Sequence, residues 1–183
     1  MLTVNVKGRE LFDEANMSFS VTKDCELHLE HSLISISKWE SKWHKPFLSN
    51  KDQVTTTELL DYIKCMTLDK NVDPKVYVAL ANDVDAIKSI NDYIQDPMTA
   101  TWFSDKKKGR DSEVITSELV YYWMTAYNIP FECEKWHINR LITLIRVCSE
   151  KNNPDKKKMD INETMSQNRA LNEARKKALH TKG

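Results

Sequence analysis

Glycine is nearly missing from this chain. Three occur in 183 residues, Gly8, Gly109 and Gly183, against a usual share of roughly 7%. With so few, neither a Walker-type phosphate loop nor a G-x-G-x-x-G dinucleotide fingerprint can be written. The nucleophile elbow G-x-S-x-G and the zinc motif H-E-x-x-H are absent too. The four cysteines (Cys25, Cys65, Cys133, Cys148) form no C-x-x-C pair, which favours a reduced, intracellular protein over a disulfide framework. No run approaches the ~20 apolar residues of a membrane span. The opening MLTVNVKGRE lacks the basic-then-apolar pattern of a signal peptide.

What is present is ordinary for a globular chain: 40% apolar and 30% charged residues, with a net charge of zero. The charge is unevenly spread. Residues 151–183 hold nine Lys/Arg against four acids, giving +5 and leaving −5 on residues 1–150. The expected organisation is one mixed domain over 1–150, β-rich over 1–30 and helical over 32–150. A basic linker and a partly flexible C-terminal helix then occupy 151–183.

The period-2 alternation of LTVNVK (2–7) predicts a strand, Glu10–Val21 a hairpin with a polar turn at 13–16, and Cys25-Leu27-Leu29 a third strand. The period then changes. Ser32 caps a helix carrying Leu33, Ile36, Trp39, Glu40 and Trp43. Thr55 with Glu58 makes a capping box for a helix over Leu59 to Met66. Asp73-Pro74 opens a short helix, and Asn82 or Asp83 another that Pro97 ends. TATWF (99–103) and SEVI (112–115) read as a second hairpin, unless Ser112 starts the next helix early.

Thr116 caps a helix with Leu119, Val120, Trp123, Met124, Ala126 and Tyr127 on one side. After Asn128-Ile129-Pro130 the stretch 131–150 is apolar over most of its circumference, which predicts a central helix packed on several sides. The last helix is expected from Asp160 and Glu163 to about Leu179. Its apolar residues scatter round the wheel, as in a segment that orders on a partner. The fold class is therefore α+β, predominantly helical: a small N-terminal antiparallel β element followed by a helical domain.

Candidate chemistry is thin. Cys133 and His137 have zinc-ligand spacing on a helix, but no second pair completes a site, and a core thiol beside a part-buried imidazole is the plainer reading. Arg140 within the apolar arc reads as a snorkelling or paired guanidinium, or as an anion contact. Trp39 and Trp43 share a helix face interleaved with lysines; they read as core or as an interface stripe. The basic tail has no aromatic residue for base stacking. No catalytic, cofactor or metal residues are expected. The candidate partner-binding residues are Trp39, Lys42 and Trp43, with Arg169, Arg175, Lys176 and Lys177 in the tail.

Four segments carry a family resemblance: LEHSLISISKWESKWHKPFL (29–48), DYIKCMT (61–67), ELVYYWMTAYNIPFECEKWHINRLITLIRV (118–147) and SQNRALNEARKKALHTKG (166–183). In order along nearly the whole chain, they resemble a family of small tailed-bacteriophage proteins from the tail-gene region, of the tail-assembly-chaperone type. These are packing and surface patterns, so the resemblance carries over no catalytic or ligand residue. It implies a non-enzymatic protein of the host cytoplasm whose partners are tape-measure or tail-tube subunits. The alternatives are a structural component of the virion neck or tail, and a nucleic-acid-binding accessory factor acting through the basic tail.

Overall fold

The computed structural model describes residues 1–13, 17–49, 54–103, 114–152, 165–166, 169–170 and 172–173. The protein is α+β and predominantly helical, with a small antiparallel β element leading into the helices. Strand β1 (Leu2–Val6) pairs antiparallel with β4 (Cys25–Leu29), and β2 (Glu10–Asp13) with β3 (Ser18–Val21). The helices are α1 (Leu33–Trp43), α2 (Thr56–Met66), α3 (Pro74–Ala81), α4 (Val84–Gln95), α5 (Ser117–Ala126) and α6 (Ile138–Asn152). The chain forms two compact units, Met1–Val147 and Cys148–Gly183.

Local chemistry sets the helix starts. Ser32 caps α1 by accepting the Ser35 N–H, and Thr55 with Glu58 forms the full reciprocal capping box of α2. Asp73 caps α3, with Pro74 in the first turn. Asp83, and not Asn82, caps α4. Thr116 caps α5. Each cap satisfies an amide that the helix itself leaves without an acceptor.

Helix α1 is the packing hub: α2, α5 and a 3-10 helix at Phe131–Lys135 all lie against it, while β1 is flanked by β4, α3 and α4. Leu33, Ile36 and Trp39 of α1 meet a core that includes Leu27 and Leu29 of β4 and Tyr62, Ile63 and Met66 of α2; all are essentially fully buried. Burying one such side chain contributes about 1.5–3 kcal/mol, so this contiguous set holds the fold.

The helix expected over 131–150 is split. Residues Phe131–Lys135 form the 3-10 helix, and Trp136 is extended (ψ 160°). His137 bridges to Ser32 in antiparallel fashion, and the Ile138 N–H donates to the His31 carbonyl at 2.7 Å. A continuous α-helix would have used that N–H internally. Helix α6 therefore begins at Ile138, and it buries only Ile138, Leu141 and Ile145. The central helix is α1.

The hairpin expected at 99–103 and 112–115 is absent where it can be seen: no strand occurs at 99–103 or 114–115, and 112–113 lie outside the described residues. The Ile115 N–H instead donates to Ser49 Oγ at 2.8 Å. Of the last helix, Met165, Ser166, Arg169, Ala170, Asn172 and Glu173 are helical and exposed; its expected start and end lie outside the described residues.

Candidate functional site

Pairs β1–β4 and β2–β3 share one unbroken register. Leu2 faces Leu29 and Val6 faces Cys25; then Glu10 faces Val21 and Asp13 faces Ser18. Three residues on each side separate the two pairs, so no residue is inserted and the two two-stranded sheets follow one another in one register as a ribbon with a joint at 7–9 and 22–24. The joint is tied by the Thr22 N–H donating to the Arg9 carbonyl at 2.9 Å, and by the Arg9 N–H donating to Thr22 Oγ1 at 2.8 Å. The Gly8 N–H donates to Asp24 Oδ1 at 2.7 Å. The Arg9 guanidinium fixes the joint to the start of α4, donating to the Asn82 carbonyl at 2.9 Å and pairing with Asp83 at 3.7 Å.

Because side chains alternate across a strand, facing pairs two apart share a ribbon face. Val4, Val6, Leu27 and Leu29 lie on one face and are buried in the body. The same parity continues through Glu10 and Val21 to Phe12 and Phe19. There the surroundings reverse: Phe12 is 48% exposed, Phe19 68% and Val21 75%, with Met17 at the turn 77% exposed. The two phenyl rings sit 5.0 Å apart, tilted by 51°. The ribbon thus runs its apolar face about 10 Å past its Arg9 anchor. By sequence, residues 10–21 carry Glu10, Asp13 and Glu14 and no base. A two-stranded hairpin is marginal by itself in water, and an exposed aromatic pair in an acidic stretch of sequence has the composition of a contact surface.

The tryptophan stripe lies elsewhere and serves the fold. Trp39 is 1% exposed, its indole N–H donates to the Glu58 carbonyl at 2.9 Å, and its ring stacks on Trp43 at 6.3 Å. It offers nothing to a partner. Trp43 is half-buried and donates to Asp61 Oδ2 at 3.0 Å. Lys42, exposed, pairs with the same carboxylate and lies over the Trp43 ring at 5.6 Å. Burial pushes the Asp61 carboxyl up, but Lys42 and the Trp43 N–H outweigh it and hold it below its ordinary value. These three candidates thus meet at the α1–α2 seam. Arg169 is exposed, while Arg175, Lys176 and Lys177 lie outside the described residues.

Cys133 and His137 do not share a helix face, since one lies in the 3-10 helix and the other in the link after it. Among the described residues no group of three His, Cys, Asp or Glu is placed to hold a metal ion. His137 is buried and its protonation state is legible. Nε2 lies 3.0 Å from the Tyr93 carbonyl, which can only accept, so Nε2 carries the proton. Nδ1 is then free to accept the Asn139 N–H at 3.3 Å, capping α6. Burial lowers its pKa in the same sense. His31, fully buried, shares a hydrogen bond with the Tyr62 hydroxyl and sits edge-on to His137 at 5.0 Å. Arg140 is exposed, with its guanidinium over the Trp136 ring at 4.3 Å.

The cleft between the β3–β4 link and the start of α3 is lined by several acids, each already engaged. Asp24 takes the Gly8 N–H, Asp73 caps α3, and Asp69 accepts both the backbone N–H and the ring of His28. No helix among the described residues is long and apolar enough to cross a membrane. No protein-family model, curated protein or solved structure matches the chain.

Proposed function

We propose that this is a non-enzymatic bacteriophage protein that acts in tail assembly through protein–protein contact, with the ribbon tip as its contact surface. The observation that supports contact is the exposure of Phe12, Phe19 and Val21 on the ribbon face whose root is core. The tail-gene setting rests on the resemblance of residues 29–48, 61–67, 118–147 and 166–183. A tape-measure or tail-tube subunit presenting an amphipathic, basic helix suits an aromatic tip within an acidic stretch of sequence, because apolar anchors give affinity and opposite charge gives orientation.

The test is a photo-crosslinking residue placed at Phe19, with the protein produced alongside the other tail genes. A crosslink to a tape-measure or tail-tube subunit is expected. Purified particles should lack the protein if it acts as a chaperone; stoichiometric copies in the particle would make it a structural component. Crosslinks to no tail protein would remove the proposal.

A further inference from the structure

The anion contact that the sequence allows at Arg140 has a cleft to act in. The cleft, of about 260 Å³, lies beside the end of α4 and the start of α6, with Met1, Glu30, Tyr93, Lys135, Trp136 and Arg140 in its lining. Its frame is tied together. His137 Nε2 donates to the Tyr93 carbonyl at 3.0 Å, and Asn139 Nδ2 to the carbonyls of Ile94 at 3.2 Å and Asp96 at 2.7 Å. The carbonyls that end α4 are thereby answered, while the positive end of the α6 dipole stands at the same cleft. The acids are answered too. Glu30 accepts the Tyr93 hydroxyl at 2.6 Å and pairs with the Met1 amino group at 2.8 Å, and Asp96 accepts the Met98 N–H at 2.7 Å. Lys135 and Arg140 are exposed, and among the described residues neither has an ion pair. In the lining, Lys135, Arg140 and the Met1 amino group face the single carboxylate of Glu30, an excess of two positive charges. That excess sits on residues 1–150, whose net charge is −5. The Arg140 guanidinium lies over the Trp136 ring at 4.3 Å. Stacked in this way, it keeps its N–H fork open to a carboxylate.

We infer that this cleft binds a carboxylate of an acidic segment of a partner protein, with Arg140 as the fork, Lys135 as the second charge and the Trp136 ring as the apolar wall. The inference goes beyond the ribbon tip and does not rest on it. Size and charge choose the occupant. Sites for whole small molecules span roughly 300–1,000 Å³, so this cleft admits one anchor the size of a side chain. A nucleic-acid strand needs a track of cations along its backbone, and two cations on an acidic body make none. A segment that brings Asp or Glu beside an apolar residue suits both fork and wall. Trp and Arg are among the residues that most often anchor a protein contact.

The indole N–H signals of the isotope-labelled, full-length protein in an NMR spectrum test this, with Trp136 assigned by its loss in Trp136→Phe. The probe is the end-blocked peptide Leu-Glu-Glu-Leu, and its neutral twin carries glutamine for both glutamates. The acidic peptide should shift the Trp136 signal saturably while Trp39 and Trp43 stay in place, and the neutral twin should not. Added salt should weaken the effect. Arg140→Gln should weaken binding about tenfold or more, and Lys135→Gln by less. Arg140→Lys keeps the charge but loses the fork, and should recover only part. Both positions are exposed, and an unmoved Trp39 signal certifies that each variant is folded. No Trp136 shift at millimolar peptide overturns the inference. So does an equal response to the neutral twin, or an affinity that neither Arg140→Gln nor Lys135→Gln changes. Inorganic phosphate binding as tightly as the acidic peptide would assign the cleft to phosphate groups, and a Trp136 signal that moves with protein concentration alone would assign it to a second copy. Either result overturns the inference as well. None of these outcomes bears on the Phe19 crosslink to tail proteins, so the two readings fail separately.

Discussion

The Glu40 carboxylate sits at the N-terminus of α5, where Oε2 accepts the backbone N–H of Ser117 at 2.7 Å across 77 residues of sequence. Its other oxygen accepts the Phe47 N–H at 2.8 Å. One carboxylate, 8% exposed, thus joins the hub helix α1, the segment after it and the start of α5. It is also an anion at the positive end of a helix dipole. Glu40→Ala should cost about 2–4 kcal/mol, since two buried amides lose a charged acceptor. Ser117→Ala should cost clearly less, because both amides bound by Glu40 keep their acceptor. Urea denaturation of both variants gives the comparison, and equal losses would contradict this account of Glu40.

Two histidines should bend the pH–stability profile in opposite directions. His137 has its pKa lowered, first by burial, against the opposing pull of the Tyr93 carbonyl, Glu30 and Asp96; the Met1 amino group adds to the lowering. The unfolded chain therefore binds a proton near the ordinary value of about 6.5 before the folded one does. Stability from this residue is full above that value and falls as pH drops through the folded pKa, when a proton on Nδ1 would confront the Asn139 N–H. His28 has its pKa raised, chiefly by the hydrogen bond to Asp69. Its contribution is full below about 6.5 and is lost as pH rises through its folded pKa. Melting temperatures across pH 5–8 should show His137→Asn flattening the acid limb and His28→Gln flattening the neutral one.

The caps of α1, α2, α3 and α5 were legible because capping is a matter of three or four neighbouring residues: Ser32 with Ser35, Thr55 with Glu58, Asp73 with Lys75, Thr116 with Leu119. The strands were legible as alternation. What escaped is non-local. Nothing between Phe131 and Glu150 announces that the His31 carbonyl, from the β4–α1 junction, will take the Ile138 N–H and stop a helix from running through Trp136. Nor does alternation say that 2–6 will close on 25–29 and turn the hairpin between them into an arm. The exposed aromatic pair was missed for the same reason. Phe12 and Phe19 show in the sequence as strand residues, but their exposure depends on how far the body extends along the ribbon. Trp39 and Trp43 look alike by spacing, yet one faces the core and the other its edge.

Trp39, Trp43 and Trp136 should separate clearly on truncation. Trp39→Ala removes a fully buried ring and a hydrogen bond to Glu58, and should cost about 3–5 kcal/mol. Trp43→Ala loses a half-buried ring and its bond to Asp61, for about 1–2 kcal/mol. Trp136, which a continuous 131–150 helix would have made a core residue, is half-buried beneath Arg140. Its replacement should cost about 1 kcal/mol. Chemical denaturation ranks the three, and a Trp136→Ala loss matching that of Trp39→Ala would place Trp136 in the core after all.

Gly8 is the position on which the arm's integrity turns. A Cβ there would stand 2.3 Å from the Thr22 carbonyl oxygen and 3.1 Å from both Asp24 N and Lys23 C. All three are backbone atoms of the facing strand, so relief requires the strands to part. Gly8→Ala should therefore disrupt the joint between the ribbon's root and its tip, at about 1–3 kcal/mol. The root keeps its burial through Val4, Val6, Leu27 and Leu29, while the tip has no comparable anchor beyond Arg9 and Thr22. Hydrogen exchange should show amides of Glu10–Val21 losing protection while those of Leu27 and Leu29 keep theirs. Crosslinking from Phe19 should fall in parallel, although neither phenylalanine is altered. Unchanged exchange over Glu10–Val21 would mean that the tip keeps its pairing without this close approach, and that its presentation does not depend on the joint.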